Sequence, residues 1–177
     1  MITKMAKTLA IMVSVFLMLL LPDGIFGARE DHINKIEVFV SAYCYRINNS
    51  RGPEVLLLKR SEHRELYPNL WECIGGSVRE NESLEAAAKR QLKEETGINA
   101  TRWKLSECFE IEVSPGVIVP GVAFSCKADF DVKIKLDPKE HVDYRWVRLD
   151  ELENFAIVSK NMHQSIVKLL MLQSKLY

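Results

Sequence analysis

Apolar residues fall into short runs rich in β-branched and aromatic side chains, and turn-forming residues separate these runs. This pattern is typical of β-strands in a packed domain. The run at 54–59 is continuously apolar in its centre, which indicates a strand buried on both faces. The pattern predicts strands at 35–47, 54–59, 70–74, 103–113, 117–128 and 144–149.

Two further segments have the periodicity of helices. The first, 83–96, begins at Ser83, which can cap it, and is followed by Gly97, a common residue just past a helix end. The second is a closing amphipathic helix at 161–172. The residues of the first helix that share a core-facing side are Leu84, Ala88 and Leu92. Strands on both sides of a helix, followed by a terminal helix, predict an α/β fold with a mixed β-sheet between helices.

The first 28 residues differ from the rest of the chain. Lys4 and Lys7 precede an apolar run at 8–21, as in a secretory signal peptide. Such a leader makes the protein secreted or periplasmic, or membrane-anchored if it is not cleaved. A start codon assigned too far upstream is the alternative, and the protein is then cytoplasmic. We therefore divide the chain into a leader, 1–28, and one domain, 29–177.

Composition excludes one class of partner. The 177 residues include 24 Lys plus Arg and 24 Asp plus Glu, so the formal net charge is zero. Proteins that bind nucleic acid usually have a basic excess or a basic stripe, and this chain has neither. The sequence therefore predicts no nucleic-acid partner, and membrane contact only through the leader.

The four cysteines lie far apart in the sequence, at Cys44, Cys73, Cys108 and Cys126, with no C-x-x-C pair and no His at zinc spacing. All four fall in apolar, strand-like segments, which favours buried free thiols over disulfides. Export leaves disulfides open, and with them an exported interaction domain held together by its cysteines.

The segment 76–98 contains the candidate chemistry. On a helix, Gln91, Glu94 and Glu95 share one side, and two adjacent carboxylates repel each other unless a cation lies between them. Carboxylate oxygens suit Mg²⁺ or Mn²⁺. Arg90 can pair with Glu94 one turn on, or with Glu82 from the preceding loop.

This segment resembles the Nudix box, G-x5-E-x7-R-E-U-x-E-E-x-G-U, in which U is aliphatic. The matching residues are Gly76, Glu82, Arg90, Leu92, Glu94, Glu95, Gly97 and Ile98. The resemblance to Nudix (MutT-like) hydrolases extends over residues 35 to about 172. It implies a Nudix-type α/β/α sandwich that hydrolyses a phosphoanhydride bond in a nucleoside diphosphate linked to another group. Many members of this family form dimers, so the resemblance also implies a possible homodimer for this chain.

The resemblance also implies a Mg²⁺ site, with Mn²⁺ as a substitute. Its metal ligands would be Glu94, Glu95 and the backbone carbonyl of Gly75, with Glu82 as a further acid close to Arg90. The cation would polarise the phosphoryl oxygens and lower the pKa of an attacking water.

Two residues outside the box and one departure within it complete the expected catalytic group. Glu140 occupies the place of an additional ligand or base on a loop, and Arg60 that of a phosphate contact. Gln91 stands where the family has Glu, and an amide cannot act as a base. The sequence therefore predicts an enzyme that uses Glu140 as its base, or alternatively a catalytically weakened nucleotide-binding module.

Overall fold

The computed structural model describes residues 37–176, so the predicted leader lies outside the described residues. No helix within 37–176 is long and apolar enough to cross a membrane. The elements, in chain order, are β1 (Phe39–Asn48), β2 (Gly52–Arg60), β3 (Trp71–Glu72), β4 (Ile74–Ser77), α1 (Leu84–Thr96), β5 (Thr101–Ser114), β6 (Val117–Lys127), β7 (His141–Val147), a 3₁₀ helix (Leu149–Asn154) and α2 (Lys160–Ser174).

The strands of the described region form one mixed sheet. β1 is central and pairs in parallel with β6 along one edge, while β2 and β4 share its other edge in antiparallel pairing. β2 also pairs with β3 and β7, and β5 pairs with β6 at the far end of the sheet. This arrangement brings the end of β3 and the starts of β4 and β7 to one region of the sheet.

Helices cover both faces of this sheet, as predicted for an α/β/α sandwich. Even-numbered residues of β1 and β2 point to the face that packs against α1, where Leu92 is fully buried. Odd-numbered residues of the same strands point to the other face, where Ile166 of α2 is fully buried. The alternation follows from the two-residue repeat of a strand. The four consecutive apolar residues of β2, Val55, Leu56, Leu57 and Leu58, are fully buried because both faces are covered.

Helix α1 begins and ends where the sequence predicts. The Ser83 side chain accepts a hydrogen bond from the Ala86 N–H at 3.2 Å. Gly97 has a φ of 74°, and its N–H donates to the Lys93 carbonyl. A left-handed backbone at this position favours glycine, which has no Cβ to clash.

The strands around the glycine pair differ from the prediction. A strand ending before Gly75 was expected at 70–74, but the segment forms two short strands, and the second continues through both glycines to Ser77. The reason is tertiary: β1 pairs with this stretch, placing Ser41 opposite Gly75 and Val40 opposite Gly76. β7 likewise begins at His141, earlier than predicted, because β2 offers a partner as far as Arg60.

All four cysteines are free thiols. Three of them are buried as expected, namely Cys44, Cys73 and Cys126, whereas Cys108 is exposed. Cys108 lies on β5, an edge strand whose side chains are less covered than those of the central strands.

Candidate metal and phosphate site

Helix α1 carries one carboxylate into the interior. Glu95 lies three residues after Leu92 and seven after Ala88, so it continues the side of the helix that faces the sheet. It is only 4% exposed, and neither carboxylate oxygen makes a hydrogen bond. Leaving an ionised carboxylate buried and unpaired costs several kcal/mol, roughly, so this position calls for a cation.

The surroundings of Glu95 raise its pKa well above the usual range. Burial is the main cause, and the nearby carboxylates of Glu72 and Glu140 add to it. Two neighbours act in the opposite direction. They are the backbone of Gly75, which lies close to the carboxylate but outside hydrogen-bond geometry, and the guanidinium of Arg64. A divalent cation would offset the mutual repulsion of these three carboxylates.

The start of β7 brings two further donors to Glu95. Glu95, Glu140 and His141 each offer one ligand atom within 4.8 Å of the others, a spacing at which they could hold a metal ion. The Glu140 carbonyl accepts from the Ser61 N–H at 2.8 Å, which ties this segment to the end of β2. The Glu140 carboxylate is partly exposed and lies 3.9 Å from Arg64.

Behind this group lies a chain of buried polar contacts. The Arg60 Nη1 donates to Glu72 Oε1 at 2.5 Å, and the same oxygen lies 3.0 Å from His141 Nε2. Arg60 also donates through Nε to the Leu66 carbonyl at 3.0 Å. Arg60 lines the cavity, and its guanidinium already has two protein partners.

The other acids of the box form a separate cluster at the surface. Arg90 holds Glu82 through two hydrogen bonds of 2.8 Å and Glu94 through one of 3.0 Å. Glu94 also accepts from Arg79 at 3.2 Å, and its side chain is 46% exposed. The pKa of Glu82 falls to about 2, chiefly because of its hydrogen bonds with Arg90. Both pairings predicted for Arg90 are present.

Gly75 and Gly76 let neighbouring side chains approach the backbone closely. A Cβ at Gly75 would lie 2.6 Å from the ring of Phe39, and one at Gly76 would lie 1.8 Å from the Gln91 amide nitrogen. Gln91 therefore lies against the backbone of Gly76 and lines the same cavity. The structure thus brings Gln91 and Gly75 to the site, although neither carries a charge.

A cavity of about 950 Å³ opens beside these residues. Its size lies within the usual range for small-molecule sites. The loop after β2 bounds one side and β5 another, and a 3.2 Å hydrogen bond from Tyr67 to Glu112 joins the two. Phe39, Tyr67 and Phe109 give the wall aromatic surface.

Sequence reasoning missed three residues of this region, His141, Glu72 and Arg64. His141 directly follows Glu140 but matches no residue of the Nudix box. Glu72 stands three residues before Gly75 and was visible only as part of a strand. A sequence signal for all three residues was their closeness to predicted site residues, since they lie within four positions of Glu140, Gly75 and Arg60 respectively.

Comparison with known proteins finds similar sequences and similar folds. An 8-oxo-dGTP diphosphatase of Buchnera aphidicola subsp. Schizaphis graminum is 28% identical over 108 residues, which cover 61% of this chain and 78% of that protein. The Ap4A hydrolase of C. elegans in a binary complex aligns with a TM-score of 0.64 and 22% identity, covering 77% of this chain and 97% of that one.

The NUDIX domain of Shewanella oneidensis NrtR, complexed with ADP ribose, aligns with a TM-score of 0.63 and 17% identity over 92% of this chain and 98% of that one. These structural matches establish the α/β/α fold. Residues 38–169 match the NUDIX domain family, which is most of the chain. The chain therefore belongs to the NUDIX family of hydrolases.

Proposed function

We propose that this enzyme is a Mg²⁺-dependent hydrolase that cleaves a phosphoanhydride bond in a nucleoside diphosphate linked to another group. The observation that carries the proposal is Glu95, a buried carboxylate without a hydrogen-bond partner. It lies next to Glu140 and His141, and both of these line a nucleotide-sized cavity. A structural carboxylate would be paired at this depth, so the unpaired one favours a bound cation.

The donor set fits a hard divalent cation. Glu95 and Glu140 would hold it, and their oxygens are the ligands that Mg²⁺ and Mn²⁺ prefer. The backbone of Gly75 also lies near Glu95. Glu94 and Glu82 would join only by exchanging an arginine for the cation, because Arg90 holds both of them. When bound, the cation would polarise the phosphoryl oxygens and lower the pKa of the attacking water.

The remaining chemistry falls to the side chains of the cavity. Glu140 is partly exposed, so its carboxylate would accept the proton of the attacking water, which Gln91 cannot do. Arg64, close to Glu140, and Arg60 supply positive charge for the substrate phosphates. The aromatic side chains of the wall would exclude water and stack on a base.

Relatives whose names concern nucleotides support the proposed substrate class. One is named for 8-oxo-dGTP, another for Ap4A, and a third is complexed with ADP ribose. We therefore propose a test on the full-length chain with nucleoside triphosphates, dinucleoside polyphosphates, nucleotide sugars and ADP-ribose. Release of a nucleoside monophosphate or of pyrophosphate, dependent on Mg²⁺ or Mn²⁺, is the expected result.

The decisive variant is Glu95→Gln, which keeps the shape of the side chain and removes its charge. We expect kcat/KM to fall by at least about 100-fold, because metal-ion stabilisation contributes several kcal/mol. Glu85→Gln is the matched control, since Glu85 lies on the exposed side of the same helix. Unchanged turnover in Glu95→Gln, or equal losses in both variants, would overturn the proposal.

A second function has one observation in its favour, which is Gln91 in place of the family's Glu. The alternative is a nucleotide-binding module with weakened catalysis. A panel without turnover by the native chain, but with turnover restored in Gln91→Glu, would establish this alternative. Turnover by the native chain rejects it.

A further inference from the structure

We propose that the cation in this site takes a nitrogen ligand, Nδ1 of His141, which raises the affinity of the site for Mn²⁺, Co²⁺ and Zn²⁺ relative to a site with oxygen ligands alone. The inference rests on the proposed function, because it concerns the cation of the same site. It adds a ligand that the Nudix box does not contain.

The tautomer of His141 follows from the residues behind it. Glu72 Oε1 accepts from Arg60 Nη1 at 2.5 Å, so this oxygen acts as an acceptor and has no proton to give. His141 Nε2 lies 3.0 Å from the same oxygen and must therefore be the donor. In the neutral ring, the lone pair is then on Nδ1.

Nδ1 points away from Glu72 and towards the unpaired carboxylate. It lies 3.7 Å from Glu95 Oε2, which is too long for a hydrogen bond, and it has no hydrogen-bond partner. The side chain is only 4% exposed, so water does not compensate for the missing partner. The 3.7 Å between Nδ1 and Oε2 suits two ligands of one metal ion, each about 2.0–2.2 Å from it.

The order of groups matches a known arrangement of metal-binding histidines. Such a histidine donates its other ring N–H to a carboxylate, which fixes the ring and makes the free nitrogen more basic. Here the carboxylate is Glu72, and Arg60 holds it in place. Arg60 and Glu72 are thus positioning residues that act through His141.

The competing interpretation is a protonated His141 that forms an ion pair with both Glu72 and Glu95. That arrangement would draw Nδ1–H to within hydrogen-bond distance of Glu95, whereas the separation is 3.7 Å. It would also leave Glu95 Oε1 without any partner. A metal ion satisfies both Glu95 oxygens and Nδ1 together.

Imidazole changes which metals bind well. Nitrogen ligands favour Zn²⁺ and the later transition metals, whereas an all-oxygen site suits Mg²⁺. His141→Asn should therefore lower the affinity for Zn²⁺ by about 10- to 100-fold and that for Mg²⁺ by less than about threefold. His163→Asn is the matched control, because His163 lies on α2 and does not line the cavity.

The test is a pair of measurements on the full-length chain. Competition binding gives the Zn²⁺ to Mg²⁺ affinity ratio for the native chain, His141→Asn and His163→Asn. Imidazole ¹⁵N NMR of the native chain, which needs no variant to fold, should show Zn²⁺ shifting Nδ1 of His141 while Nε2 keeps its proton. An Nδ1 resonance that does not move at saturating Zn²⁺, or an unchanged affinity ratio in His141→Asn, overturns the inference.

Failure of the inference and failure of the proposed function give different results. Suppose that Mg²⁺ supports hydrolysis, that Glu95→Gln abolishes it, and that the Zn²⁺ to Mg²⁺ affinity ratio is the same in the native chain and in His141→Asn. The inference then fails and the proposed function stands. If no divalent cation binds the native chain or stimulates hydrolysis, both fail.

Discussion

At the scale of single residues, the two glycines beside the site differ in what a methyl group would meet. At Gly75 a Cβ would lie 2.8 Å from the Val40 carbonyl oxygen, which the sheet holds fixed, whereas at Gly76 it would meet only the Gln91 side chain. We expect Gly75→Ala to cost about 1–3 kcal/mol of unfolding free energy and Gly76→Ala less than about 1 kcal/mol, because Gln91 can rotate away. Urea unfolding measures both, and equal losses would contradict this reasoning.

Tyr43 gives the protein a dependence on alkaline pH. Burial raises the pKa of Tyr43 far above its ordinary value of about 10, and its hydroxyl donates to Glu107 at 2.8 Å. The folded chain keeps this proton while the unfolded chain releases it above pH about 10, so the contribution of Tyr43 is complete below that pH and is lost above it. Unfolding free energies of the native chain and Tyr43→Phe should therefore converge between pH 9.5 and 11, roughly. Parallel curves over this interval would show that Tyr43 ionises normally.

Individual site residues were predictable only as far as local geometry determines them. The sequence placed Glu94 and Glu95 on one side of a helix, but neighbouring helical residues are about 100° apart, so one is buried and the other meets two arginines. His141 and Glu72 come together across 69 positions of sequence, a contact that no local pattern encodes.

At the scale of elements, the start of α1 should depend on its cap. Ser83→Ala removes the acceptor for the Ala86 N–H and should cost about 0.5–2 kcal/mol in urea unfolding. Ser106→Ala, on the exposed part of β5, should change stability by less than about 0.5 kcal/mol. A cap variant as stable as the Ser106 control would mean that tertiary packing alone fixes this helix end.

The difference between local signals and tertiary pairing explains which elements the sequence predicted well. Both helices begin and end within about two residues of their predicted bounds, because caps and periodicity are local signals. The start of β7 and the division around Cys73 depend on which partner strand is available, which is a property of the assembled sheet. The 3₁₀ helix Leu149–Asn154 follows the last predicted strand and is not among the predicted elements.

At the scale of the whole molecule, we expect the leader at 1–28 to direct export and to be removed. Mass spectrometry of the protein isolated from its own cells should then find an amino terminus near residue 29. An intact Met1 in a membrane fraction would indicate an anchor instead. A cytosolic protein whose translation starts at a later Met would indicate a misassigned start codon.

The ligands of the candidate site come from α1 and from the start of β7, and Glu72 of β3 supports His141. They therefore meet only when α1, β3 and β7 are all assembled in the folded protein. The unfolded chain therefore has nothing comparable to offer a cation. By mass action, a cation present at 100 times its Kd should stabilise the native state by about 2.7 kcal/mol. The melting temperature of this protein should then rise with metal concentration, so that supply of the ion governs how much folded protein a cell retains.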